Sequence, residues 1–95
     1  MKEEIKNLIK KASGIDNFSV EISSDKNYGD YSANVALVLA KKTGENPKEV
    51  AEDIKARIKD DLFKKVEVAG PGFINFFISE AYFKKQLKAI LKEKN

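Results

Sequence analysis

The chain has 95 residues, enough for one domain around a single modest core. Hydrophobic residues make up 42% and charged residues 35%, the balance of a soluble globular protein, and no apolar run approaches the roughly 20 residues that span a bilayer. With no cysteine and no histidine it offers no thiolate nucleophile, no Ser–His pair and no His- or Cys-ligated zinc, while the net charge of +3 permits a polyanionic partner without requiring one.

In chain order, Ile5, Leu8, Ile9 and Ala12 recur at i, i+3, i+4 and i+7, which predicts an amphipathic helix ending near Ser13-Gly14. Phe18, Val20 and Ile22 alternate with Ser19, Glu21 and Ser23, the pattern of a half-buried strand. Residues 24–30, SDKNYGD, are polar and turn-rich, and Asp30 is the expected N-cap of a second helix through residues 33–40. That helix is apolar around most of its girth, so it is expected to be the most buried. Lys41 and Lys42 suit its C-terminal dipole, and Gly44 can close it in a left-handed conformation.

A third helix has the clearest local signal. Asn46 caps it, Pro47 takes the first turn, and Glu49 stands three residues after the cap, followed by Val50, Ile54 and Ile58 on one stripe. Val66 and Val68 begin a second strand, Gly70-Pro71-Gly72 makes a turn, and residues 73–78 form a third strand. Ser79 can cap a last helix with Phe83, Leu87, Ile90 and Leu91 on one face and Lys84, Lys85, Lys88 and Lys92 on the other. The order α-β-α-α-β-β-α predicts an α+β domain, with helices on one face of a small, mainly antiparallel sheet.

The strand after the Gly-Pro-Gly turn poses the functional question. Its alternation sends Ile74, Phe76 and Ile78 to one face, expected to be buried among Val35, Leu39, Ile54 and Phe83. Phe73, Asn75 and Phe77 go to the other face. Two readings of that second face stand. The aromatics pack beneath a loop such as 24–30, or they form an exposed surface where a ring stacks on a nucleobase and an amide bonds its edge. The lysines of the last helix could reach phosphates, although a solvated polar face is the commoner explanation. No residue stands out as catalytic or as a metal ligand.

Three segments together extend the reading: GDYSANVALVLAKKTGENPKEVAEDI, then VEVAGPGFINFFIS, with NPKEVA inside the first. In this order and spacing, over residues 28–79, they resemble the N-terminal additional domain of arginyl-tRNA synthetases. The resemblance implies a tRNA-binding accessory domain that contacts the D loop at the elbow of tRNA-Arg and so helps the full enzyme attach arginine to tRNA with ATP. It implies that Phe73 and Asn75 make the contact; Phe77, from its place on the same face, and Lys84 and Lys88, from the charged face of the last helix, are further candidates outside that pair. The class I signatures H-I-G-H and K-M-S-K-S are absent. Residues 1–95 are therefore expected to be one domain separated from a catalytic domain of the same chain. No cofactor is expected in these residues; ATP and magnesium belong with the parent enzyme. A protein-interaction module using the Phe73/Phe77 face is the rival reading. The expected setting is the cytoplasm, in keeping with the lack of cysteine, and no membrane contact is expected.

Overall fold

The computed structural model describes residues 2–24 and 26–80. The last predicted helix, with Phe83, Lys84, Lys88 and the rest of its two faces, lies outside the described residues. Within them the chain runs α1 (Lys2–Ser13), β1 (Val20–Ile22), a single 3-10 turn (Lys26–Tyr28), β2 (Tyr31–Ala33), α2 (Val35–Thr43), α3 (Pro47–Arg57), β3 (Phe63–Ala69) and β4 (Phe73–Ile78). The α+β architecture and the predicted order hold, with one strand added.

Local chemistry sets the helix ends. α1 stops where Ser13 Oγ donates back to Ile9 O at 2.7 Å and Gly14 N donates to Lys10 O. α2 is closed by Gly44 at φ 76°, whose N–H donates to Ala40 O. α3 begins as its sequence dictates: Asn46 Oδ1 accepts from Lys48 N at 2.9 Å and from Glu49 N at 3.3 Å, with Pro47 in the first turn.

The added strand corrects the reading of Asp30. Residues 31–33 are not the lead-in to α2 but a strand between β1 and β4 in the four-stranded antiparallel order β1-β2-β4-β3. Asn34 takes the position before α2, yet its Oδ1 accepts from Ser19 N at 2.7 Å and so ties the helix entry to the start of β1. Asp30 instead extends the β2–β4 ladder. Its N–H donates to Phe76 O at 2.8 Å, and its Oδ2 accepts from Ile78 N at 2.8 Å. Gly29 must lack a side chain here: a Cβ would sit 2.8 Å from Phe76 O. The GDY triplet is thus a device for docking β2 onto β4.

The described helices share one sheet face. Ile5 and Ile9 of α1, Val35, Ala36 and Ala40 of α2, and Val50, Ala51 and Ile54 of α3 close on Val20, Ala33, Ile74, Phe76 and Ile78. The predicted strand parity holds, with Ile74 and Phe76 fully buried. Of the predicted neighbours, Val35 and Ile54 are buried, Leu39 packs half-buried at the margin, and Phe83 lies outside the described residues. Phe63 joins at the end of β3, its ring 4.9 Å from that of Phe76. A β-bulge between Phe63 and Lys65 lets both belong to one strand yet oppose β4 residues on opposite faces, Ile78 and Phe77.

Candidate functional site

The helix-free face of the sheet is built by strand alternation and register. Across its middle run Glu21 of β1, Ser32 of β2, Asn75 of β4 and Glu67 of β3, each opposite the next. Towards the β3–β4 turn, Phe73 stands opposite Ala69; towards the other end, Phe77 stands opposite Lys65. The sequence placed Phe73, Asn75 and Phe77 on one face, and there they are.

Their surroundings differ. Phe73 is 39% exposed, whereas Asn75 is only 4% exposed. A residue so little exposed was not expected on an uncovered face. Its burial follows from its neighbours: it lies in the centre of the sheet with Ser32 and Glu67 on either side. It also sits in an open depression of about 280 Å³, lined by Ser23, Tyr28, Ser32, Ala69, Gly70, Phe73 and Asn75. None of the fully buried side-chain nitrogens and oxygens among the described residues lacks a partner. No side-chain hydrogen bond of Asn75 occurs among those residues either, so its carboxamide is addressed to the depression.

Phe77 is not part of this depression. It is half-buried, with the Lys65 ammonium 5.4 Å from its ring centre, and Lys65 also pairs with Glu67. Lys84 and Lys88 lie outside the described residues. The structure therefore brings Phe73 and Asn75 together and sets Phe77 apart. It also adds two residues that the sequence pattern did not single out. Ser32 came from the unforeseen strand. Tyr28 belongs to the 24–30 segment and lines the depression while remaining 59% exposed.

The chemistry of the lining is selective. It combines two aromatic rings, an amide with both donor and acceptor capacity, three hydroxyls (Ser23, Ser32 and the Tyr28 phenol) and no charged group. Such a site suits a flat, uncharged ring with hydrogen-bonding edges and offers a phosphate no cation. Among the described residues no cluster of three or more His, Cys, Asp or Glu side chains could hold a metal ion.

Fold and face together define a small α+β domain with an aromatic–amide depression on its helix-free sheet surface. The chain belongs to the arginyl tRNA synthetase N terminal domain family, which it matches over residues 1–78. It is 40% identical over 97 aligned positions to an arginine–tRNA ligase of Thermotoga maritima, covering 100% of this chain and 18% of that protein. It is 41% identical to an arginine–tRNA ligase of Listeria welshimeri, covering 96% of this chain and again 18% of the relative. The chain thus spans under a fifth of the length of these curated relatives. The fold recurs in the arginyl-tRNA synthetase of Plasmodium falciparum, with a TM-score of 0.79 at 24% identity over 92% of this chain and 17% of that one. It recurs in the Thermus thermophilus enzyme with a TM-score of 0.73 at 22% identity, over 90% and 15% respectively.

Proposed function

We propose that this domain is the tRNA-binding accessory module of an arginyl-tRNA synthetase, and that it holds the D loop at the elbow of tRNA-Arg. Phe73 stacks on a D-loop base and the Asn75 carboxamide bonds its edge. In this reading the parent enzyme attaches arginine to tRNA in the cytoplasm, and the domain steadies the tRNA for a catalytic domain of the same chain, where ATP and magnesium are bound. The observation that carries it is the pairing of an aromatic ring with a buried, otherwise unengaged amide in one uncharged depression. The described helices contain no segment long and apolar enough to cross a membrane, and the proposal needs none.

The test is aminoacylation kinetics of the full-length synthetase on tRNA-Arg and on D-loop variants. Phe73→Ala should cost roughly 1–3 kcal/mol of tRNA binding, the worth of one stacked base. Asn75→Ala should cost less in total but reduce discrimination between D-loop bases, because the amide supplies the edge contact. Neither change should alter the salt dependence, since neither residue touches a phosphate, whereas removing a phosphate-bound lysine would flatten the slope by about one charge. Phe73 is more than a third exposed, so its truncation should fall well short of the roughly 3–5 kcal/mol stability loss of a buried ring. Unchanged tRNA kinetics with a collapsed melting temperature would make Phe73 a core residue and defeat the proposal. A protein-interaction face would show itself the same way in the kinetics, but with normal stability and lost binding to a protein partner.

A further inference from the structure

Tyr28 is an aromatic residue without a role in the fold. It is 59% exposed and takes no part in the core. A ring held largely in water within a polar turn contributes little to stability. Yet its backbone is anchored firmly. The next residue, Gly29, packs so closely on β4 that a Cβ would meet Phe76 O at 2.8 Å. Asp30 then grips the same strand through its N–H to Phe76 O and its carboxylate to Ile78 N. The backbone next to Tyr28 is therefore fixed relative to β4, the strand that also carries Phe73 and Asn75.

The register says where it stands. β2 begins at Tyr31, opposite Phe76, so the segment carrying Tyr28 meets the sheet at the C-terminal end of β4. Phe73 begins β4 at its other end, opposite Ala69 beside the turn. Both residues nonetheless line one depression, with Ser32 and Asn75 between them. At about 3.3 Å of rise per residue, Asn75 lies roughly 7 Å along the strand from Phe73.

We infer that Tyr28 is the second aromatic wall of the base site, so that one extruded D-loop base sits between Tyr28 and Phe73 above the Asn75 carboxamide. This rests on the base-reading role proposed above and adds a residue and a geometry to it. The same arrangement suggests the ligand class. Glu21 flanks the Ser32–Asn75 pair on one side and Glu67, paired with Lys65, on the other, and the lining holds no cation, so the site suits an uncharged base better than a phosphate. Anchoring of the adjacent backbone by Gly29 and Asp30 limits the main-chain ordering needed when the base arrives.

The experiment uses the full-length synthetase and tRNA-Arg transcripts carrying a single abasic nucleotide at successive D-loop positions. The position at which Phe73→Ala causes no further loss identifies the base that Phe73 contacts. On the intact transcript, Tyr28→Ala should lower kcat/KM about fivefold or more, the low end of one stacking contact. On the transcript abasic at the identified position its penalty should vanish. Tyr28→Phe should retain full activity, because the ring is kept. If Phe73→Ala responds to the base and Tyr28→Ala does not, or loses equally on the intact and abasic transcripts, Tyr28 is no wall while the base-reading role stands. If neither variant responds to any D-loop base, the base-reading role falls and the second wall with it. Because Tyr28 is exposed, its variants should melt with the wild type, which keeps the kinetics interpretable.

Discussion

Asp30→Ala is the sharpest probe of how this sheet is assembled. β2 is only three residues long, and the chain leaves the ladder at Gly29. Ile78 N, at the far end of β4, then meets no backbone carbonyl of β2; the Asp30 carboxylate takes that place at 2.8 Å. Removing it strands an N–H on a residue that is 5% exposed. A hydrogen bond to a charged group contributes about 1.5–3 kcal/mol, and a buried orphaned donor costs a similar amount, so a loss of about 2 kcal/mol is expected. For a domain of this size each kcal/mol is worth about 4–8 °C at the midpoint, so the melting temperature should fall by roughly 8–16 °C. Asp30→Asn keeps an acceptor oxygen but not its charge and should cost about 1 kcal/mol or less.

Thermal melts alone would not separate this role from helix capping, since loss of an N-cap costs roughly 1 kcal/mol as well. Amide hydrogen exchange does. In Asp30→Ala the Ile78 amide should lose its protection first, ahead of the amides in the first turn of α2. The reverse order, with Ile78 still protected and α2 frayed, would show that Asp30 caps the helix after all. It would also remove the ground for treating the Gly29–Asp30 pair as the anchor of Tyr28.

Gly72→Ala should shift the β3–β4 turn away from α3, because a Cβ there would lie 2.9 Å from Pro47 Cβ and 3.1 Å from its carbonyl carbon and oxygen. Phe73 follows Gly72 directly, so both the melting temperature and kcat/KM for tRNA should drop; a variant as stable and active as wild type would show that the turn is free of α3. Asn46→Ala removes the acceptor for Lys48 N and Glu49 N and should cost about 1 kcal/mol in melts. Its effect on tRNA discrimination should be nil, since Asn46 lies outside the depression.

Elements with strong local codes were readable in the sequence. α3 carries Asn-Pro and a glutamate at the right offsets, α2 ends on Gly44, and the alternation in β4 fixed which residues face the helices. β2 was not readable. Tyr-Ser-Ala is too short for a period to register, and it runs directly into an apolar helix that absorbs it by propensity. What makes it a strand is tertiary: two neighbours to pair with, a glycine that lets the backbone approach, and a carboxylate bonded to Ile78 N, 48 residues away. The bulge at Phe63–Lys65 escaped for a related reason. An extra residue in a strand breaks the alternation from which strands are inferred, so β3 looked shorter than it is.

The candidate site follows the same division. That Phe73 and Asn75 share a face was legible because they sit two apart on a strand of clear parity, and parity needs no knowledge of partners. Tyr28 and Ser32 were not, because they reach the depression from the segment whose course depends on Asp30. That dependence has a consequence for reading the GDY triplet itself. A glycine and an acid before an aromatic invite a functional interpretation, yet here both hold backbone to backbone, and the residue exposed for contact is the tyrosine that precedes them. Under the proposed base-reading role the triplet matters because it fixes β2 against β4: if that junction loosens, Ser32 and Tyr28 drift from Asn75 while Phe73 and Asn75 keep their spacing on one strand. Mutations at Gly29 or Asp30 should therefore erode the Tyr28 half of the site before the Phe73 half.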